Sequence, residues 1–119
     1  CRTGIMGKCL AEGDWGTYAG GDAPGMRFET AEWLHDRDVV SISTDTWGCE
    51  VIPNESRVMF QPWHRMIIPT MGLTMGEIFY LEELAQDCKA DGIYEFMFVA
   101  PSLPITGAVG SAVNPQAIK

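Results

Sequence analysis

Residues 81–100, "LEELAQDCKADGIYEFMFVA", constrain the fold more than any other stretch. Leu81, Leu84, Ala85 and Cys88 recur at i, i+3, i+4 and i+7, the single apolar stripe of an amphipathic helix. Glu82 and Glu83 sit early and Lys89 late, matching the helix dipole, and Gly92 supplies a stop. The run that follows, "IYEFMFVA", is apolar on both faces apart from Glu95, the pattern of a central strand covered from both sides. A one-faced helix feeding a two-faced strand predicts a mixed architecture, α/β or α+β.

The remaining segments agree with that class. "DVVSIS" at 38–43 is a β-branched run and reads as a strand. Before it, Ala31 and Leu34 share a face, which predicts a short helix over 30–37 with Thr30 as N-cap and Glu32 in the first turn. Residues 63–71 predict a second short helix ending near Gly72 and disturbed by Pro69, and "GLTM" a short return strand. Residues 11–26 hold five glycines and no apolar period, so a long surface loop is expected. The Gly- and Pro-rich tail after residue 100 reads as irregular.

Composition narrows the function. The 119 residues suit one domain, and 46% hydrophobic content fits a folded chain. A net charge of −8 offers no patch to neutralise phosphates, so nucleic acid is not expected as a partner. No apolar run reaches the length of a membrane span and the start is unlike a signal peptide, so no membrane partner and a cytoplasmic location are expected. Cys1, Cys9, Cys49 and Cys88 form no CxxC pair and read as reduced thiols, with Cys88 buried on its helix. The opening "CRTGIM" begins in mid-element, which predicts a piece of a longer protein.

Chemistry concentrates in "QPWHRMIIPTMGLTMGE" at 61–77, where His64 and Glu77 flank an apolar stretch. Imidazole and carboxylate are ligands for zinc and also suit manganese or iron. A helix from 63 and a return strand from 73 reverse the chain, which allows the two ends to meet. Two ligands alone fall short of a catalytic zinc site, and a hydrogen-bonded surface histidine is the bland alternative. His35 reads as a helix C-terminal cation. "DTWGCE" offers Asp45, Cys49 and Glu50 at a strand end, either as a site or as a capped turn. Glu95 is a candidate hydrogen-bonding residue, or faces solvent at an edge. The "ITGAVGSAVNP" loop can present backbone N–H groups, but it lacks nucleotide-binding glycine spacing, and no GxSxG elbow is present.

Several stretches in order resemble the C-terminal part of the cyclase-like metal-dependent hydrolases, the family of bacterial kynurenine formamidase and isatin hydrolase. They are "RTG" at 2–4, "AEWLHDRDVVSISTDTWGCEVIPNE" at 31–55, "PWHRMIIPTMGLTMGE" at 62–77, "LEELA" at 81–85 and "FVAPSLPITGAVGSAVNP" at 98–115. The resemblance implies that residues 1–119 are the C-terminal portion of one cyclase-like domain of swivelling β/β/α type. It implies that His64 and Glu77 are catalytic and ligate a divalent metal, zinc or manganese. The family's other ligands lie in an HxGTHxDxPxH motif that these residues lack, so a preceding segment is expected to supply them. Ala112 stands where the family tail carries proline. The implied reaction is hydrolysis of an amide, lactam or formamide C–N bond in a small molecule, by a homodimer or homotetramer, with Trp47 and Trp63 as candidates for packing an aryl group. The alternative is a non-catalytic fragment or binding protein without a complete metal site.

Overall fold

The computed structural model describes residues 1–119 as two compact units, Cys1–Glu82 and Glu83–Lys119. The first contains α1 (Ile5–Glu12), α2 (Glu29–His35), β1 (Ser41–Ser43), α3 (Pro62–Met71) and β2 (Thr74–Gly76). The strands β1 and β2 pair in parallel with Ser41 opposite Thr74, Ile42 opposite Met75 and Ser43 opposite Gly76. Parallel neighbours need a crossover, and α3 lies within it. Leu34, Ile42, Cys49, Trp63, Ile67 and Leu73 make the core, with Met26, Val39, Met66, Met71 and Met75 packed around it.

The helix α3 follows from its sequence. Pro62 occupies the first turn, where its missing N–H costs nothing. Trp63 and Ile67, four residues apart, turn the same face inward. Gly72 closes the helix at φ 67°, with its N–H directed at the Ile67 and Ile68 carbonyls. The return strand begins two residues later, as the sequence predicts.

Other expectations need correction. Residues 11 and 12 belong to α1, and the segment after them is more than a surface loop, because Tyr18 and Ala23 are buried. Ala23 and Ile52 exchange N–H···O bonds of 2.9 Å, the Met26 N–H reaches Cys49 O at 2.8 Å, and the Val51 N–H returns to Met26 O at 3.0 Å. Gly25 permits this approach, since a Cβ there would overlap the Glu50 backbone. Thr30 is not an N-cap: α2 begins at Glu29, its N-cap is Phe28, and the Thr30 hydroxyl donates to Arg27 O at 2.6 Å. The helix ends at His35 instead of residue 37.

The second unit holds α4 (Glu82–Asp91) from its second residue, β3 (Met97–Val99) and β4 (Gln116–Ile118). The stripe predicted for α4 is the less exposed side of the helix, and Cys88 on it is buried. The run 93–100 is not a covered central strand. Only three residues of it pair, antiparallel to β4, and Tyr94, Met97 and Phe98 are exposed. The tail is not wholly irregular either, because 116–118 supply that partner strand. Lys119 anchors β4 to the end of α4 through Asp87 Oδ2 at 2.9 Å and Asp91 Oδ2 at 2.8 Å. No helix is long and apolar enough to cross a membrane.

Candidate functional site

The chain reversal brings the predicted pair together. His64 Nε2 lies 2.8 Å from Glu77 Oε1. The other ring nitrogen, Nδ1, lies 2.6 Å from Glu50 Oε1, so the imidazole bridges two carboxylates. His64 reaches this place from the first turn of α3, Glu77 from the residue after β2, and Glu50 from the segment stitched to Met26.

Glu50 does two things at once. Gln61, the N-cap of α3, has a left-handed backbone and makes no side-chain cap bond. Glu50 replaces it from a distance: Oε2 accepts the Trp63 N–H at 3.1 Å and Oε1 the His64 N–H at 3.4 Å. These are donors that a helix start leaves without intrahelical partners. The same carboxylate fixes the imidazole plane through Nδ1. Glu50 is buried, with a side chain 2% exposed, whereas the Glu77 side chain is 34% exposed. One carboxylate is therefore built in and the other is open to solvent.

Burial opposes a charge on His64, but the bonds to Glu77 and Glu50 outweigh it and hold the imidazole pKa above its ordinary value. An imidazolium donates from both nitrogens, which suits the two acceptors. Backbone strain collects around the same residues. Cys49, Gln61 and Ile78 all have positive φ, at 27°, 49° and 61°, and each adjoins or closely precedes a member of the triad. For the β-branched Ile78 this conformation is a genuine outlier, held by its N–H bond to Thr46 O at 3.0 Å.

Tyr18 was not singled out in the sequence. Its hydroxyl donates to Asp45 O at 2.8 Å, just beyond the end of β1. Burial first, then the charges of Asp45, Cys9 and Glu77, push the phenol up to about 12. Its spacing among glycines gave no apolar pattern that would mark it. The "DTWGCE" residues separate by role. Asp45 accepts the Thr3 and Gly4 N–H groups at 2.6 and 2.8 Å and so holds the start of α1. The Cys49 thiol is fully buried against Thr44 Oγ1 and Gly76 O, and burial raises its pKa to about 11. Of the three, Glu50 alone contacts His64, and the segment between Asp45 and Glu50 forms a turn.

The other candidates lie elsewhere. His35 is exposed at the end of α2, 3.6 Å from Asp36. Glu95 is exposed. Trp63 is a core residue at 1% exposure and lines no open surface, although its buried indole Nε1 has no hydrogen-bond partner. Trp47 is exposed.

The donor chemistry of His64 and Glu77 fits two positions of a zinc or manganese site, and the Nδ1–Glu50 bond is the orienting contact that metal-binding histidines use. A cation there competes with the proton shared by Nε2 and Glu77. No group of three or more His, Cys, Asp or Glu side chains is arranged to hold a metal ion, so the fit is to half of a site.

A solved structure described as that of a novel cyclase matches the chain with a TM-score of 0.74 and 38% sequence identity. The structural neighbour is a cyclase. The match covers 82% of this chain and 31% of the neighbour, so the chain spans about a third of that protein's length. The likeness supports a relationship to the cyclase family and a mixed α/β fold. No family model and no curated protein matches the chain.

Proposed function

We propose that the chain is the C-terminal portion of a cyclase-family enzyme, a metal-dependent hydrolase of amide, lactam or formamide C–N bonds. The observation that carries this reading is the Glu50–His64–Glu77 triad, an oriented imidazole beside a solvent-reachable carboxylate. His64 and Glu77 are the proposed metal ligands, with further ligands supplied by a segment preceding these residues. Zinc or manganese, when bound, supplies an acidified water and a Lewis acid for the substrate carbonyl. Glu50 holds the His64 ring by Nδ1, which leaves Nε2 directed at Glu77. Glu77 is the proposed proton carrier: only its Oε1 is engaged by His64, and its exposure allows exchange with solvent. The swivelling β/β/α topology, a homodimer or homotetramer and a cytoplasmic location belong to the same reading.

A non-catalytic cyclase-like binding protein is the second reading, favoured by the absence of a third arranged ligand. Metal analysis and assay of the full-length protein separate the two. The hydrolase reading expects bound zinc or manganese and turnover of N-formylkynurenine or isatin, both lost in His64→Ala. A metal-free protein, or His64→Ala with unchanged metal and turnover, overturns it.

A further inference from the structure

Thr44, Asp45 and Thr46 are buried immediately after β1, although a buried hydroxyl or carboxylate is costly unless it is partnered. Asp45 holds the start of α1. The β1–β2 ladder ends at Ser43 opposite Gly76, and Thr44 extends that contact with its backbone alone. Its N–H donates to Gly76 O at 2.9 Å, and its carbonyl accepts the Phe79 N–H at 3.0 Å. Valine suits such a strand end as well as threonine and buries no polar atom. The Thr44 hydroxyl therefore has a role that the strand pair does not explain.

That hydroxyl lies between the two segments that carry the carboxylates. On one side it meets Thr46 Oγ1 at 2.8 Å, accepts the Thr46 N–H at 3.4 Å, and lies 3.3 Å from Sγ of Cys49, the residue before Glu50. On the other, the Cys49 thiol donates at 3.4 Å to the carbonyl of Gly76, the residue before Glu77. One set of proton positions satisfies every group. The Thr46 O–H donates to Thr44 Oγ1, the Thr44 O–H to Cys49 Sγ, and the Cys49 S–H to Gly76 O. A Cβ on Gly76 would overlap Ser43 Oγ and the Phe79 ring, so this residue lies tight against β1.

We propose that Thr44 is a positioning residue of the candidate site: its hydroxyl, acting through the Cys49 thiol, keeps Glu77 within bonding distance of His64 Nε2. Glu50 is held independently, because the Trp63 and His64 N–H groups fix its carboxylate to α3 and it moves with the ring. Glu77 meets the ring by one bond only, and its place is set by the backbone on either side of it. Gly76 O is held by Thr44 and Cys49, the Ile78 N–H by Thr46 O, and the Phe79 N–H by Thr44 O. The hydroxyl network thus ties the segment before Glu50 to the segment around Glu77 and sets the span that the imidazole bridges. Its consequence for hydrolysis rests on the function proposed above, whereas the geometry stands without a metal.

The two ring N–H protons of His64, followed by nitrogen-edited NMR on the metal-free full chain with the imidazole protonated, test the proposal. Both are expected as resolved resonances in the wild type. Thr44→Val is expected to speed exchange of the Nε2 proton with water about fivefold, roughly the worth of one hydrogen bond, and to leave the Nδ1 proton unchanged. Thr44→Ser keeps the hydroxyl and is expected to restore the wild-type rate, and Cys49→Ala to repeat the valine result. A wild type with no resolved Nε2 proton, unchanged exchange in Thr44→Val and Cys49→Ala, equal acceleration at both ring nitrogens, or a serine variant that behaves as valine each overturns the proposal. A full-length protein without bound metal or turnover removes the hydrolase reading and leaves this result standing.

Discussion

The two units use apolar residues in opposite ways. In the first, Trp63, Ile67 and Leu73 are 1%, 0% and 2% exposed, packed between helices and a parallel strand pair. In the second, Met97, Phe98 and Ile118 are 60%, 49% and 47% exposed, because a two-stranded ribbon cannot cover both of its own faces. Apolar patterning states which faces a strand has to bury. Burial itself needs a further layer, and the first unit supplies one from within its own sequence.

Substitutions sharpen that contrast. Trp63→Ala is expected to be the most damaging, destabilising the first unit by about 4 kcal/mol in urea unfolding, since it empties the core under α3. Glu50→Ala follows at about 2–3 kcal/mol, because it strips a helix start and a partly buried imidazole of their acceptor together. Glu77→Ala, at a partly exposed bond, is expected to cost at most about 1 kcal/mol in the same measurement. If the two glutamates cost the same, the distinction between built-in and open carboxylate fails.

Acid unfolding probes the other anchor of the first unit. Burial pushes the Asp45 carboxyl up, but the Thr3 and Gly4 N–H bonds prevail and hold its pKa below the ordinary value. A depressed folded-state pKa contributes stability above the unfolded value of about 3.9, lost as pH falls through the folded-state value. Asp45→Asn is therefore expected to flatten the acid limb of a stability–pH curve, and an unchanged limb refutes the role. The smallest effect is expected in the second unit. Met97→Lys should change stability by no more than about 0.5 kcal/mol, because Met97 is exposed. Backbone amides of β3 should also exchange with solvent faster than those of β1.

What the sequence made legible was local. Pro62, the Trp63–Ile67 spacing and Gly72 mark α3 without reference to any distant residue, and the stripe through Cys88 marks α4. What it hid was non-local. The start of α1 depends on Asp45, 41 residues beyond Gly4, and "GIMGKC" has no capping side chain to announce it. Glu50 was legible only as either a site residue or part of a capped turn, because its partners lie 13 and 14 positions away. His64 and Glu77 were nameable as a pair because a single reversal joins them. The carboxylate that orients the pair was not, since sequence spacing carries no record of which buried acid meets which helix start.

Glu50 also couples assembly of the candidate site to nucleation of α3. The carboxylate that aims the His64 ring is the one that accepts the first N–H groups of the helix, so each arrangement favours the other. Linkage then runs in both directions. Whatever binds the aimed imidazole raises the melting temperature of α3, and whatever frays α3 weakens that ligand by the same free energy.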